Sequence, residues 1–158
     1  MLSHLNHILL RAAGDGAGET DPRFCTVCLC RLHLDPRGAS VTLALGGHPL
    51  PFVLGADGAV RQVGQPGSLL GVVEGAAVSD EEHRLGPGDA LVLYTDGITE
   101  RHHGRDFFGD DRVRQTLQEA VGLTADEIAG RIEQAARRFV DGQPNDDMAV
   151  VVVRVPPG

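Results

Sequence analysis

Three segments of the chain carry hydrophobic residues at every third or fourth position, which predicts three amphipathic helices. The apolar stripe of the first comprises Leu2, Leu5, Leu9 and Ala12. The stripe of the second comprises Val113, Leu117 and Val121, and that of the third comprises Ile128, Ile132, Ala135 and Phe139. Thr124 and Glu127 have the spacing of a capping box, which predicts that the third helix begins there.

Between the first two helices, short runs rich in β-branched and aromatic residues alternate with glycine turns, which predicts strands. The predicted strands are 24–34, 41–45, 50–54, 59–63, 90–95 and, after the last helix, 148–155. In the first, alternation places Phe24, Cys28 and Leu32 on one face, which we expect to be mostly buried. The last is a continuous apolar run, typical of a strand covered on both faces. Because the strands follow one another without intervening helices, the predicted class is α+β with mostly antiparallel sheets. The length of 158 residues indicates a single domain over residues 1–158.

Composition and charge argue against several classes of protein. The formal charge is −8 and aromatic residues make up 4% of the chain, so the basic and stacking surfaces typical of nucleic-acid binding are missing. No apolar run approaches the roughly 20 residues of a membrane-spanning helix, and the N-terminus has no signal-peptide pattern. Three cysteines, an odd number crowded between Cys25 and Cys30, do not suit a disulfide framework. We therefore expect a cytoplasmic protein that binds neither nucleic acid nor membranes.

Acidic residues flank two of the predicted strands. Asp96, in YTDGITE, follows the strand 90–95, and Asp146 and Asp147, in NDDMAV, precede the strand 148–155. If these strands are antiparallel neighbours, the carboxylates meet at one edge of the sheet. Two carboxylates about 4 Å apart repel by roughly 4 kcal/mol at an effective dielectric constant of about 20, and a divalent cation reverses that repulsion. Oxygen ligands favour Mg²⁺ or Mn²⁺; the alternative is that each aspartate only forms a local turn.

Four blocks of sequence, in this order and spacing, resemble those of a known family. They are GGHPLPFVL at 46–54, LGPGDALVLYTDGITER at 85–101, FGDDR at 108–112 and NDDMAVVVVR at 145–154. Together they resemble the PPM-type metal-dependent protein serine/threonine phosphatases, in particular the SpoIIE-like bacterial branch. The resemblance covers roughly residues 1–155.

The resemblance implies two stacked antiparallel sheets flanked by helices, and a binuclear Mn²⁺ or Mg²⁺ site. It also implies hydrolysis of phosphoserine or phosphothreonine on a bacterial signalling protein, such as an anti-sigma-factor antagonist, by metal-activated water. By the same resemblance, Asp96 and Asp146 are metal ligands, and Asp147 occupies a position that is often asparagine. The residues expected to line the pocket are Gly97, His48 and Asn145.

The sequence departs from the family pattern upstream of the first strand. Family members carry two further acidic motifs there, one of them with the aspartate that bridges both metals, and neither motif occurs in this sequence. We therefore expect the C-terminal portion of a phosphatase domain, incomplete at its N-terminus, that holds at most one hydrated ion. The alternative function is a truncated or degenerate, non-catalytic module that binds a signalling partner. An exposed apolar sheet edge would then favour a homodimer.

Overall fold

The computed structural model describes residues 1–14, 24–140 and 146–158. In chain order, the elements are α1 (Leu2–Gly14), β1 (Val27–Asp35), β2 (Gly38–Gly46), β3 (Phe52–Leu54), β4 (Val60–Gln62), β5 (Asp80–Leu85), β6 (Ala90–Tyr94), α2 (Asp96–Thr99), β7 (His102–His103), β8 (Asp106–Phe107), α3 (Gly109–Gln118), α4 (Ala125–Phe139) and β9 (Val150–Arg154). The chain divides into two compact units. The first comprises Met1–His33, Ser40–Leu50 and Gly64–His83, and the second comprises Leu34–Ala39, Pro51–Val63 and Arg84–Gly158.

The first unit contains α1 and most of a three-stranded sheet with the order β1-β2-β5. The predicted apolar stripe of α1 packs as expected, because Leu2 is buried with Ala44 and Leu70. Asn6 is buried on the same helix. Its amide nitrogen donates to the Val73 carbonyl at 2.9 Å, and its amide oxygen accepts from the Gly71 N–H at 2.7 Å. The satisfied amide anchors the helix to the loop ahead of β5.

The second unit contains a four-stranded sheet with the order β4-β3-β6-β9. Every pairing in it is antiparallel: β3 pairs with β4 and β6, and β6 pairs with β9. Helices α3 and α4 pack with this sheet around a shared core. That core includes Phe52, Val92, Ile98, Leu117, Ile128 and Ile132. The α+β class with antiparallel sheets is therefore confirmed.

Two short elements, which the periodicity did not predict, lie between β6 and α3. They are the one-turn helix α2 and the hairpin β7–β8, in which His102 pairs with Phe107. Segments of four and two residues are too short for periodicity to identify. They matter because the TDG motif lies within this region.

The structure corrects the expected burial of β1. The face with Phe24 and Leu32 is 53% and 40% exposed at these residues, whereas Val27 and Leu29 of the other face pack against the core. Alternation favoured the Phe24 face because the other face carries Arg31 and His33, but these two residues lie in the exposed second half of the strand. Cys28 shares the face of Phe24 but is itself half-buried, and this burial raises the pKa of its thiol to about 11, with a further contribution from Cys30.

Two smaller expectations were wrong, those for Val121 and for β9, whereas that for α4 was right. Val121 lies beyond the end of α3 and is 41% exposed. The predicted stripe of α4 is confirmed, since Ile128 and Ile132 are buried and Ala135 and Phe139 pack partly buried against the same core. Strand β9 is at the edge of its sheet and Val151 is 57% exposed, so this strand is not covered on both faces.

No helix among residues 1–14, 24–140 and 146–158 combines the length and the apolar character needed to cross a bilayer.

Candidate functional site

The two acidic motifs lie beside each other in the second unit because β6 and β9 are antiparallel neighbours. The register joins Ala90 to Arg154 and Tyr94 to Val150. The ladder continues past the strand ends, where the Thr95 N–H donates to the Ala149 carbonyl at 3.1 Å. The end of β6 therefore meets the start of β9, as the sequence predicted for neighbouring strands.

The Thr95 side chain fastens the two motifs together. Its hydroxyl donates to the Asp147 carbonyl at 2.8 Å and accepts from the Ala149 N–H at 3.0 Å. Thr95 is also the N-cap residue of α2, but its side chain makes no capping bond to that helix. The hydroxyl is used across the strands instead, which holds the backbone of the acidic pair against the start of α2.

At Gly97, the TDG segment comes very close to the backbone of the DD segment. A Cβ atom built on Gly97 would lie 2.4 Å from the Asp147 carbonyl oxygen and 2.9 Å from the Asp147 carbonyl carbon. No real Cβ tolerates such distances to backbone atoms, so only glycine fits here. Among the residues that we expected to line the pocket, Gly97 thus has a steric role in joining the motifs.

The carboxylates of Asp96 and Asp146 each accept one hydrogen bond from the next residue. The Gly97 N–H donates to Asp96 Oδ1 at 3.1 Å, and the Asp147 N–H donates to Asp146 Oδ1 at 2.7 Å. Asp96 is half-buried, whereas Asp146 and Asp147 are exposed. No ion pair between described residues involves Asp96 or Asp146. The local bonds agree with the turn-forming alternative, and each engages only Oδ1 of its carboxylate.

A cavity of about 290 Å³ opens beside the two motifs. It is lined by Gly97, Glu100, Arg101, His102, Phe107, Val140 and Asp146. The imidazole of His102 packs on the Phe107 ring with centroids 5.1 Å apart, at the end of the β7–β8 hairpin that lies away from its turn. The sequence pattern did not indicate that Phe107 and Arg101 line this cavity, because the β7–β8 hairpin and the bonds of Arg101 to the end of α4 bring them there.

The remaining predicted site residues are His48, Asn145 and Asp147. His48 is half-buried in the first unit, in the segment that follows β2. Asn145 lies outside the described residues. Asp147 contributes its backbone carbonyl to the Thr95 and Gly97 contacts described above. The placement of His48 and Asn145 in a common pocket stays a prediction.

The resemblance implies a metal centre, and Asp96 and Asp146 are its candidate ligands. Within the three described ranges, no group of three or more His, Cys, Asp or Glu side chains is placed to hold a metal ion. The oxygen donors of Asp96 and Asp146 suit one hydrated Mg²⁺ or Mn²⁺, since Mg²⁺ in proteins is commonly bound through one or two carboxylates and several waters. These residues do not supply the ligands of a bridged pair of metals.

Two curated bacterial proteins are similar to this chain in sequence. It is 26% identical to Protein IcfG of Synechocystis over 122 residues, which are 76% of this chain and 19% of that protein. It is 24% identical to the phosphoserine phosphatase RsbU of Bacillus subtilis over 132 residues, which are 83% of this chain and 39% of RsbU. The chain thus spans less than half the length of these curated relatives.

The fold agrees with that of a solved phosphatase domain. The phosphatase domain of the cell fate determinant SpoIIE from Bacillus subtilis, presoaked with Mn, superposes with a TM-score of 0.69 at 24% identity. The match covers 99% of this chain and 65% of the SpoIIE chain. The family model for stage II sporulation protein E matches residues 1–156. With the paired TDG and DD motifs, these matches show that the chain belongs to the SpoIIE family, a branch of the PPM-type phosphatases.

Proposed function

We propose that this chain is the C-terminal portion of a metal-dependent phosphatase domain that hydrolyses phosphoserine or phosphothreonine on a bacterial signalling protein. The observation that carries the proposal is the contact of Gly97 with the Asp147 carbonyl, which brings the TDG and DD motifs together. The description of RsbU as a phosphoserine phosphatase supports the same reaction. The antiparallel pairing of β6 with β9 brings the acidic groups to the same end of these two strands.

Asp96 and Asp146 would hold the divalent cation, Mn²⁺ or Mg²⁺, through carboxylate oxygens. When bound, such a cation activates a water molecule and neutralises phosphate oxygens. The protein's own contribution is geometric: Thr95 and Gly97 fix the two segments, and the half-burial of Asp96 limits its movement. Ligands beyond the described residues complete the site in this proposal.

The proposed substrate is an anti-sigma-factor antagonist phosphorylated on serine. The resemblance of the sequence blocks to the SpoIIE-like branch implies this class of partner, and the description of RsbU as a phosphoserine phosphatase supports the phosphorylated serine. The cavity beside Asp146 is open enough for a phosphorylated side chain, and its rim carries His102 and Phe107 for contact with the flanking peptide. We place the reaction in the cytoplasm, where the three cysteines, which are free thiols in the structure, stay reduced.

A non-catalytic module that binds the same signalling partner is the second candidate. The observation that favours it is the lack of a three-ligand acidic cluster among residues 1–14, 24–140 and 146–158. Such a module would keep the fold and the cavity and bind a phosphoserine peptide without hydrolysing it.

The test is a calorimetric titration with Mn²⁺ of the wild-type protein and of Asp96→Asn. We expect the substitution to weaken Mn²⁺ binding at least tenfold, since it removes one of two anionic ligands. Asp111→Asn, on the exposed first turn of α3, is the matched control and is expected to bind as the wild type does. Equal affinities for wild type and Asp96→Asn would reject the ligand assignment.

Hydrolysis distinguishes the two candidate functions. Mn²⁺-dependent release of phosphate from p-nitrophenyl phosphate and a phosphoserine peptide is expected for the phosphatase, and Asp96→Asn should abolish it. Peptide binding without phosphate release, in the presence of Mn²⁺, would favour the non-catalytic module.

A further inference from the structure

Arg101 is a charged residue in the interior of the second unit. It follows α2 and lies five positions after Asp96, and only 7% of its surface is exposed. Burying a guanidinium is costly unless its N–H groups find acceptors. The acceptors of its N–H groups therefore indicate the role of the buried Arg101 guanidinium.

The guanidinium bonds to the C-terminal end of α4. Its Nε donates to the Ala136 carbonyl and its Nη2 to the Val140 carbonyl, both at 2.8 Å. Carbonyls at this end of a helix lack intrahelical partners and carry partial negative charge, so they suit a cation. The third nitrogen, Nη1, lies 4.0 Å from the Met148 sulfur.

These contacts fall on both sides of the acidic pair. Val140 precedes Asp146 in the chain and Met148 follows Asp147, so one guanidinium touches the backbone before the pair and a side chain after it. In the chain, Arg101 follows α2, the short helix that begins with Asp96. Both acid-bearing segments are thus tied to a single planar group.

We propose that Arg101 is a positioning residue that holds Asp96 and Asp146 at their mutual spacing. The inference rests on the proposed function, in which these carboxylates share a divalent cation. The planar fork of arginine donates in two directions at once, which a lysine ammonium on a flexible stem does not reproduce. If Arg101 only capped α4, replacing it would leave the distance between the Asp96 and Asp146 carboxylates unchanged.

The first test is Mn²⁺ affinity by calorimetry for Arg101→Gln and Arg101→Lys, at a temperature well below unfolding. We expect Arg101→Gln to weaken binding at least tenfold and Arg101→Lys to weaken it less, because lysine keeps the charge but loses one of the two bonds. The matched control is Arg114→Gln. Arg114 donates to the Val60 carbonyl at 2.8 Å and lies over the Phe52 ring, so its loss affects stability but neither acid-bearing segment.

The second test is hydrogen exchange of the backbone amides, without metal. Arg101→Gln is expected to accelerate exchange about tenfold or more in both Thr95–Ile98 and Asp147–Ala149, and Arg114→Gln in neither. Should Arg101→Gln fail to fold, Arg101→Lys serves for both measurements. Faster exchange confined to the end of α4, or Mn²⁺ affinities of the Arg101 and Arg114 variants that match, would overturn the positioning role.

The two proposals fail differently. A wild-type protein that does not bind Mn²⁺ contradicts the proposed function, and amide exchange in the two segments then decides the role of Arg101 alone. Normal Mn²⁺ binding in the wild type with no change in Arg101→Gln contradicts only the positioning role.

Discussion

At the scale of single residues, the site depends on a position where no side chain is tolerated. Gly97→Ala places a methyl group 2.4 Å from the Asp147 carbonyl oxygen, so the backbone of one segment has to move. We expect a loss of about 1–3 kcal/mol in the free energy of unfolding, the usual cost of overpacking. Urea denaturation measures it, and the Mn²⁺ titration should show weakened binding in the same variant.

Gly130→Ala is the matched control for Gly97→Ala. Gly130 lies within α4, and a Cβ there meets nothing within 4 Å. Alanine at this position should stabilise the protein by about 0.5–1 kcal/mol, because glycine is a poor helix former. Similar losses of stability in both variants would contradict the steric account of Gly97.

Tyr94 predicts how stability depends on pH in the alkaline range. Its hydroxyl donates to Asp110 Oδ1 at 2.9 Å, and burial, followed by the charge of Asp110, raises the pKa of Tyr94 above its ordinary value. The unfolded chain loses this proton first, near pH 10, so the folded state binds more protons and stability falls as pH rises past about 10. Below that pH the contribution is fully present.

The chain has one tyrosine and no tryptophan, so absorbance at 295 nm reports the ionisation of Tyr94 alone. We expect tyrosinate to appear only together with unfolding, and Tyr94→Phe to reduce the alkaline loss of stability. Reversible ionisation near pH 10 in the folded protein would contradict the buried hydrogen bond to Asp110.

At the scale of elements, the start of α4 is set by a capping box. The Thr124 hydroxyl accepts from the Glu127 N–H at 3.3 Å, and the Glu127 carboxylate accepts from the Thr124 N–H at 2.8 Å. Thr124→Ala should lower the free energy of unfolding by about 1 kcal/mol, the usual cost of losing an N-cap. Urea denaturation at pH 7 measures it.

Thr116→Ala is the control for Thr124→Ala. The Thr116 hydroxyl bonds to the Arg112 carbonyl within α3 and caps nothing. Its removal should change stability by less than about 0.5 kcal/mol, as is usual away from caps and cores. A loss in Thr116→Ala as large as in Thr124→Ala would show that the cap has no special role.

At the scale of the whole molecule, both larger sheets end in strands with exposed apolar residues. Leu34 of β1 is 73% exposed and Val151 of β9 is 57% exposed. Exposed apolar edge strands favour pairing with another chain, so we expect sedimentation to show concentration-dependent dimers. The double variant Leu34→Lys with Val151→Lys should stay monomeric, whereas Val121→Lys, on an exposed turn, should dimerise as the wild type does. A wild-type monomer at all concentrations, with one cooperative melting transition, would contradict this prediction.

The secondary structure followed largely from local pattern. The helices α1 and α4, the capping box and the glycine turns were predictable because each depends on residues within a few positions of one another. The buried face of β1 was not, since Val27 and Leu29 share their face with polar residues, and only their packing against the cluster around Leu2 buries them. The half-covered β9 was missed because its edge position is a property of the sheet.

The candidate site divides in the same way. The sequence by itself determined the identity and order of the acidic motifs, the strand ends that carry them, and the resemblance to a phosphatase family. Only the tertiary structure decided that Gly97 touches the Asp147 backbone and that Arg101 contacts Val140 and Met148. Those contacts join residues 39 to 50 positions apart, and no local pattern encodes the backbone path that closes such distances.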